Sequence, residues 1–574
     1  MRRRALLAGL ALLLAGPAAA LDLVLDPAGL DPARQARAQA LVAETLAVLP
    51  DPWQQLSFQL PLRFDRSLPA DVVGHHRAGR LWLAPSLLDD DAPPGKARAA
   101  LVHEIAHALD RGGAHWSADP RFRVLVGWDR HGDNRWSLRS IDAQALQSPA
   151  ESLAVHLEGH LLDPAYRCRQ PALAAWFDAR VGTAPLARST CAGALPLVVA
   201  SGAGAAMTLE TVDPARVWAV DYLLAGNGAA PMSRFGHSML RLVICAPGRE
   251  PGPRCRMDLA HHRVLSFRAF VDDVQVSSWQ GLTGGYPSRL FVLPLDQVID
   301  EYTRVELRQL TAHPLALDRS QREALLQAAA QAHWRYDGDY RFVGNNCAVE
   351  SGRLLDTALA TANPLQRRTP RGVLRALRAG GWLDPAAQPD DADQARRQGL
   401  LFASAEAEYR LLLQRLQQAG QVDARWRLHD WLDAAPAQRG ALPAALALEQ
   451  AAAWLVLERA ALRRAELRAL ASLKPRLRQD PALAAAVAGW RQWLAGMDGP
   501  GALPVPGYGL PDQAEREAVA ALLERHSQAA QSGWQALQQA GEGALPAAQR
   551  AMLEATRQRV RALGDQVRRL SADG

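Results

Sequence analysis

The sequence predicts a multidomain α+β protein with a mixed α+β N-terminal domain, an antiparallel-sheet middle domain and an all-α C-terminal domain. Its 574 residues exceed what one hydrophobic core usually encloses. Residues 205–385 alternate short apolar stretches with Gly/Pro turns, which is typical of antiparallel strands. From residue 395 onward the chain is rich in Ala, Leu, Arg and Gln at helical spacing, which predicts helices.

The elements of each domain follow from these patterns. In the N-terminal domain, residues 21–195, we expect a helix at 32–49, a short strand at Leu81–Leu83 and a helix ending at Leu109. In the middle domain, residues 205–385, the predicted strands are 217–224, 238–244, 264–270 and 290–295, and the predicted helices are 318–334 and 347–360. The C-terminal domain, residues 395–574, is divided at its prolines: Pro436, Pro475, the Pro500–Pro511 loop and Pro546.

Residues 1–20 have the features of a cleaved signal peptide. Arg2–Arg4 precede the apolar run Ala5–Ala15, and small residues follow up to Ala20. This run is too short to span a bilayer, so we expect cleavage after about Ala20 and a periplasmic location. The whole chain has 65 basic and 59 acidic residues. Cleavage would remove three arginines, so the net charge of the mature chain would be 62 − 59, or +3. That balance argues against a nucleic-acid partner, and later in the sequence no apolar stretch has transmembrane length.

The chain has five cysteines, and an odd number in an exported protein leaves one thiol over. Cys245 and Cys255 flank a turn rich in Pro and Gly, so we expect a disulfide across that loop, and Cys168 and Cys191 form a second expected pair. Cys347 is then free. Connectivity does not follow from spacing alone, so other pairings stay open.

Residues 101–109 form an apolar segment with an HExxH pattern, in which His103 and His107 flank Glu104. One helical turn places both imidazoles on the same face, at a spacing that suits one tetrahedral Zn²⁺. Glu104 is then the candidate general base that activates water. The pattern is typical of zinc metallopeptidases, and the alternative is two solvent-facing histidines on an ordinary helix.

A zinc peptidase site needs a third protein ligand. Ser148 and Pro149 predict an N-cap and a first turn, so Glu151 lies at the start of a helix. This resembles the gluzincins, in which a glutamate on a separate downstream helix completes the site. The resemblance implies a zincin-like domain with Glu151 as the third ligand. Further candidates are His156, Glu158 and His160 on the same helix, whereas His115, Asp129, His131 and Asp133 are expected to shape the cleft or face solvent. The strand Arg80–Leu83 is the candidate edge strand for aligning a peptide substrate.

A second candidate site combines His237, near the start of a predicted strand, with Cys347, at the start of a predicted helix. The helix dipole there lowers the pKa of a thiol, and a histidine on a neighbouring strand can serve as its base. The third, orienting residue stays open. His261 and His262 fall on the next predicted strand, and Asn346 either positions an oxyanion or caps the helix. The alternative is that Cys347 is an inert buried thiol.

The segment from about Trp218 to Leu359 resembles the Lnb N-terminal periplasmic domain family. The resemblance rests on Phe235-Gly236-His237 with Arg241, on Gly281–Tyr286, on Glu301-Tyr302 and on Asn346-Cys347. That family in turn resembles circularly permuted NlpC-type papain-like hydrolases, in which the histidine precedes the cysteine. The resemblance therefore implies a papain/NlpC-like middle domain with Cys347 as nucleophile and His237 as base. The segment Leu161–Pro171 also resembles a stretch that follows the HExxH helix in envelope proteins carrying this family.

Together these features predict an exported periplasmic hydrolase with zinc as its cofactor. Its substrates would be envelope peptides, proteins or acyl-lipids, cleaved at a zinc-peptidase-like site, at a thiol amidase or acyl-transfer site, or at both. The rival interpretation is a non-catalytic envelope assembly or binding protein with structural zinc and a relic cysteine. In that case the helical C-terminal domain would bind a protein partner.

Overall fold

The computed structural model describes residues 21–54, 59–69, 71–128, 139–186, 189–201, 206–228, 236–269, 286–335, 338–341, 344–359, 361, 363–473, 476, 480–495, 500 and 503–572. The expected signal peptide lies outside them. The chain divides into two compact units, the first formed by residues up to 129 together with 141–191, the second by 130–140 together with 192–574. The segments predicted as middle and C-terminal domains fall in the same unit.

The first unit contains a four-stranded sheet in the order β1-β2-β4-β3. Its strands are β1 (Asp22–Asp26), β2 (Gln59–Phe64), β3 (Gly74–Arg77) and β4 (Arg80–Leu83). β1, β2 and β4 run parallel, whereas β3 pairs antiparallel with β4. Ala78 and Gly79 join these two strands at positive φ, 52° and 71°, as a two-residue hairpin requires. β3 therefore lies at this edge of the sheet, opposite β1, and the expectation that Arg80–Leu83 forms an edge is wrong, because this hairpin adds one more strand.

The helices of this unit are α1 (Pro32–Val48), α2 (Asp51–Gln54), α3 (Lys96–Leu109), α4 (Pro120–Val126), α5 (Pro149–Leu162), α6 (Tyr166–Arg169) and α7 (Pro171–Arg180). α3 packs against α5 and contacts β3 and β4. All residues of α3 from Ala100 to Leu109 are buried, which agrees with its almost entirely apolar surface. This helix therefore carries the HExxH pattern into the interior of the unit.

The second unit contains a nine-stranded sheet in the order β13-β11-β7-β8-β9-β10-β5-β6, with β12 paired to β10. The strands are β5 (Leu195–Ser201), β6 (Ala206–Val212), β7 (Val217–Ala225), β8 (His237–Ile244), β9 (Arg263–Ala269), β10 (Tyr286–Pro294), β11 (Leu310–Pro314), β12 (Gly338–Tyr340) and β13 (Leu401–Phe402). Neighbouring strands pair antiparallel, except that β10 and β5 run parallel. The predicted strands correspond to β7, β8, β9 and β10, so the antiparallel character of the sheet is confirmed.

The helices of this unit are α8 (Leu295–Ile299), α9 (Arg319–Arg335), α10 (Cys347–Leu359), α11 (Pro370–Ala379), α12 (Ala392–Arg397), α13 (Ala405–Gln418), α14 (Leu428–Asp433), α15 (Leu448–Leu473), α16 (Pro481–Ala495), α17 (Gln513–Ala544) and α18 (Ala547–Ala572). α9 and α10 pack together, and α10 lies against β8 and β9. In the helical tail α15 packs against α18, and the buried carboxylate of Glu458 pairs with Arg439 and Arg559, both at 2.7 Å. Among the described helices, none is long and apolar enough to cross a membrane.

Candidate metal centre and thiol cluster

Two histidines of α3 lie one helical turn apart inside the first unit. His103 is 7% exposed and His107 is 5% exposed, and their Nε2 atoms are 3.1 Å apart. Positions i and i+4 share a face because a helix turns once in 3.6 residues. The burial of both rings excludes the alternative of two solvent-facing histidines.

The carboxylate of Glu151 meets these two rings from a second helix. The Oγ of Ser148 accepts a hydrogen bond from the backbone N–H of Glu151 at 3.1 Å, which caps α5 and places Glu151 in its first turn. Oε2 of Glu151 lies 3.1 Å from Nε2 of His103, and Oε1 lies 3.2 Å from Nε2 of His107. Ligand bonds of about 2.0–2.2 Å in a tetrahedron place donor atoms roughly 3.3–3.6 Å apart, so these donor atoms lie close to the spacing that a zinc ion requires.

Glu158 contacts the other ring nitrogen of His103. Its Oε1 lies 2.5 Å from Nδ1 of His103. A hydrogen bond from Nδ1–H to this carboxylate leaves the lone pair of Nε2 directed at Glu151 and His107. The sequence predicts Glu158 as a competing metal ligand, whereas the structure places it behind His103, where it orients the ring.

His156 and His160, the remaining candidates on α5, have other described partners. Nδ1 of His156 lies 3.1 Å from the hydroxyl of Tyr166, and Nε2 of His160 lies 3.2 Å from the carbonyl oxygen of Gly182. Their rings tie α5 to the segments that follow it. Of the loop candidates, His115 is exposed beyond the end of α3, and Asp129, His131 and Asp133 lie outside the described residues.

Glu104 lies against the edge strand of the sheet. It is 5% exposed, and a Cβ built on Gly74 of β3 would lie 2.8 Å from its Oε1. The glycine therefore makes room for the carboxylate. Burial raises the pKa of Glu104, although His103 and His107 oppose this shift. A buried carboxyl with a raised pKa is suited to accept a proton and return it.

The carboxylates around His103 favour its protonated, positively charged form. Burial lowers the pKa of His103, but hydrogen bonds with Glu151 and Glu158 outweigh burial and raise it to about 10. Hydrogen bonds with His103 and His107 hold the pKa of Glu151 far below its usual range. The site therefore favours positive charge, which is the electrostatic condition for binding a metal cation.

Gln144 also reaches this triangle, although the sequence does not single it out. Its Nε2 donates a hydrogen bond to Oε2 of Glu151 at 2.8 Å and lies 3.3 Å from Nε2 of His103. It belongs to a short 3₁₀ turn, Gln144–Leu146, that contacts α5. A single glutamine ahead of a helix cap carries no motif, so only its position in the fold reveals it.

Cys347 is the first residue of α10, and its thiol is free and buried. Ser238 of β8 and Tyr340 of β12 lie next to the sulfur. Burial raises the pKa of Cys347, and hydrogen bonds with these neighbours offset only part of that shift. The thiol is therefore protonated at neutral pH in this arrangement.

His237 contacts other groups than the thiol. Its Nε2 lies 3.0 Å from Oγ of Ser266 on β9, and its ring stacks on that of Tyr302 with the centroids 6.1 Å apart. Burial, together with two nearby arginines, lowers the pKa of His237 to about 3. The sequence does not predict Ser266 as a partner of this imidazole.

The alternation of side chains along β8 explains these contacts. His237 and Ser238 are consecutive residues of the strand, so their side chains point to opposite faces of the sheet. Ser238 lies beside Cys347, on the face against which α10 packs. His237 shares the other face with Met239, part of the apolar core that includes Tyr302. The described contacts of the imidazole thus do not include the sulfur.

The candidates for an orienting residue have other contacts. His261 lies in a 3₁₀ turn and His262 directly before β9, so the expectation that they lie on the strand is wrong, because the chain first turns at the preceding loop. Nε2 of His262 lies 2.9 Å from the carbonyl oxygen of Cys255, and burial lowers the pKa of this histidine to about 4. Asn346 caps α10, with Oδ1 accepting a hydrogen bond from the backbone N–H of Ala348 at 3.0 Å.

The cysteines pair in the arrangement that the sequence led us to expect. Disulfides join Cys168 to Cys191 and Cys245 to Cys255, and Cys347 keeps a free thiol. The first bridge lies within the first unit, and the second follows β8 in the second unit. Each bridge therefore closes a local loop.

Comparison with known proteins identifies two segments. Residues 115–190 match the model of a domain of unknown function, DUF7844. The matched residues include α5 with Glu151, and the HExxH segment lies before them. No curated protein and no solved structure matches the chain. Residues 205–380, which carry His237 and Cys347, match the family model described as the Lnb N-terminal periplasmic domain, and this match supports an exported protein of the cell envelope.

Proposed function

We propose that the first unit is a zinc-dependent hydrolase of the metallopeptidase type, zincin-like in its site, with His103, His107 and Glu151 as ligands. The observation that carries this proposal is the convergence of two Nε2 atoms and one carboxylate, at 3.1–3.2 Å from one another, from two packed helices. Two histidines and one glutamate are the protein ligands of several catalytic zinc sites, whereas structural sites use four protein ligands.

The surrounding residues suit hydrolysis of an amide. Zinc bound at the triangle would supply a Lewis acid that polarises a carbonyl and acidifies water. Glu104 would take the proton of the attacking water and pass it to the leaving amine. Glu158 would keep Nε2 of His103 available, and the N–H of the Gln144 amide that does not bond to Glu151 would donate a hydrogen bond to the substrate carbonyl oxygen as negative charge develops there.

We further propose envelope peptides or proteins as substrates of this site. β3 is the last strand in the order of its sheet, and it lies against Glu104 at Gly74. The outer backbone groups of an edge strand can pair with an extended peptide and so align it beside the candidate base. This geometry favours a peptide over an acyl-lipid, and the periplasmic family match supports the location.

Metal analysis of the purified mature protein tests the zinc site. We expect about one equivalent of zinc in the wild type and almost none in His103→Ala, because two remaining ligands hold zinc poorly. His115→Ala is the matched control, since His115 is exposed and lies outside the ligand triangle. A wild-type protein without zinc after zinc-supplemented purification would contradict the proposal, as would equal zinc content in His103→Ala.

A second candidate function is a cysteine amidase or acyl-transfer site with Cys347 as nucleophile and His237 as base. Two observations favour this function. Cys347 is the first residue of α10, where backbone N–H groups can stabilise an oxyanion, and residues 205–380 match a periplasmic domain family. We rank it second, because the thiol has a raised pKa and the described contacts of His237 lead to Ser266 and Tyr302.

Thiol labelling with iodoacetamide tests this second site. A catalytic pair predicts fast labelling of Cys347 at pH 7 that slows at least tenfold in His237→Ala, because the base no longer generates thiolate. Slow labelling that rises only above about pH 9, equally in both variants, would identify an inert buried thiol. If the protein then also lacks zinc, the rival interpretation of a non-catalytic assembly or binding protein stands.

A further inference from the structure

Strand β3 directs backbone groups to its outer side at alternate residues. Antiparallel neighbours alternate between hydrogen-bonded and non-hydrogen-bonded pairs. The carbonyl oxygen of Val73 accepts a hydrogen bond from the backbone N–H of Ala84, the residue that follows β4, at 3.0 Å. Gly74 and His76 are one and three residues further along, so their backbone N–H and C=O groups point away from β4. These are the groups with which an extended peptide would pair.

Arg111 contacts one of these outer groups. It is the second residue after α3 and lies four residues after His107, one helical turn beyond the candidate zinc ligand. Its Nη1 donates a hydrogen bond to the carbonyl oxygen of His76 at 2.9 Å and lies 3.5 Å from Nδ1 of the same residue. These contacts fix the guanidinium at the outer side of β3.

The carboxylate next to Arg111 in sequence does not neutralise its charge. Asp110 is buried, and its carboxylate accepts hydrogen bonds from the backbone N–H of Ser117 at 2.9 Å and from the hydroxyl of Ser117 at 2.6 Å. In the described part of the chain, the hydrogen-bonding contacts of Arg111 are those with His76. Burial raises the pKa of Glu104, and the charge of Arg111 is among those that oppose this shift. The guanidinium therefore acts electrostatically on the candidate base.

Glu104 and Arg111 mark two points along β3. Gly74 lies against the carboxylate of Glu104, and the carbonyl group of His76 is held by Arg111. Two residues of a strand span roughly 6.6 Å, and an extended peptide beside the strand advances at the same rate. A substrate group next to Arg111 is therefore about two residues away from a carbonyl next to Glu104. A guanidinium offers the planar fork of N–H donors that binds a carboxylate through two hydrogen bonds.

We propose that Arg111 binds a carboxylate of the peptide substrate about two residues from the scissile bond, so that the site selects acidic peptides. The carboxylate belongs either to an Asp or Glu side chain or to a free C-terminus. This inference rests on the proposed hydrolytic function and names the class of peptide on which it acts. Because Arg111 also holds the carbonyl oxygen of His76, the guanidinium stands where peptide pairing along β3 would otherwise continue.

Fluorescence anisotropy on the mature full-length Glu104→Gln variant tests this subsite. The variant lacks the candidate base and should bind peptides without cleaving them. The probes are N-terminally dansylated hexapeptides: all-alanine with an amidated C-terminus, the amidated series with glutamate at each position in turn, and all-alanine with a free C-terminus. At least one acidic peptide should bind roughly tenfold more tightly than the neutral one, because it gains a charge-assisted contact.

Adding Arg111→Gln should abolish this difference. Arg98→Gln is the matched control, since Arg98 lies on α3 and pairs with Glu44, and it should keep the preference. A preference for a glutamate peptide would assign a side-chain carboxylate, and a preference for the free acid would assign the C-terminus. Equal affinity for acidic and neutral peptides, binding of none of them, or a preference that persists in Arg111→Gln would overturn the proposal.

The zinc content of the same preparations separates this inference from the proposed function. Bound zinc without an acidic preference would contradict the Arg111 subsite alone. An acidic preference that depends on Arg111 in a protein without zinc would support the subsite and contradict the zinc site, because neither β3 nor Arg111 is among the candidate ligands.

Discussion

The two ring nitrogens of His103 have different partners, and this difference determines what the ring can bind. Nδ1 faces Glu158, and Nε2 faces Glu151, His107 and Gln144. Glu151 and Glu158 lie two turns apart on one face of α5, so the helical period alone does not distinguish the candidate metal ligand from the residue that contacts Nδ1 of His103. Their roles depend on where α5 crosses α3.

The replacement Glu158→Gln tests the orienting role. We expect a zinc affinity about 10–100-fold lower than that of the wild type, because a neutral amide supports the imidazole less well than a carboxylate. The affinity is measured by competition with a chromophoric chelator. The control is Glu44→Gln, an exposed glutamate paired with Arg98 elsewhere in the first unit. An affinity equal to that of the wild type would show that Glu158 does not act through His103.

At the scale of elements, the helices of the candidate metal site were predictable and its edge strand was not. α3 ends at the predicted residue and α5 begins at the predicted residue, because an apolar run and a Ser-Pro cap are strong local signals. β3 has the sequence Gly-His-His-Arg, which lacks the apolar alternation of a half-buried strand. It forms because the Ala78-Gly79 turn joins it to β4 as a hairpin. A side chain at Gly74 would displace the carboxylate of Glu104.

The same scale explains why the described contacts of the imidazole lead to Ser266 and Tyr302 rather than to the thiol. A strand beginning at His237 and a helix beginning at Cys347 follow from local patterns. Which face of β8 the histidine occupies depends on the register of β8 against β7, where Ala225 pairs with His237 and Leu224 with Ser238. A shift of this register by one residue would move the side chain of His237 to the face that Ser238 occupies, and the reverse. Local sequence therefore supplied both residues of the candidate pair but not their mutual placement.

At the scale of the whole molecule, two buried histidines of the second unit make stability depend on pH. His333 accepts a hydrogen bond from the backbone N–H of Val198 through Nε2 and donates one to the carbonyl oxygen of Leu290 through Nδ1, both at 2.9 Å, and thereby joins α9 to two strands. Burial lowers the pKa of His333 and that of His262 to about 4. In the unfolded chain both have a pKa of about 6.5, so unfolding below that value takes up protons.

The free energy of unfolding should therefore fall as the pH decreases from about 6.5 towards 4, by up to about 3 kcal/mol for each histidine. Urea unfolding between pH 7 and pH 5, followed by tryptophan fluorescence with zinc removed, measures this dependence. His333→Gln should reduce the slope against pH, whereas His261→Gln, a substitution at a partly exposed residue, should leave it unchanged. A wild-type midpoint that does not change over this range would contradict the argument.

Local sequence was sufficient for the mixed α and β content, for the helix with the HExxH pattern, for the cap that presents Glu151, and for the strands β7 to β10. These features depend on periodicity, caps and turns, which act over a few neighbouring residues. Contacts between distant segments decided the rest: Glu158 behind His103, Gln144 beside Glu151, Gly74 against Glu104, and His237 on the opposite face of β8 from Ser238, which lies beside the thiol. Helix crossing and strand register set these contacts, and neither is encoded by any single short segment.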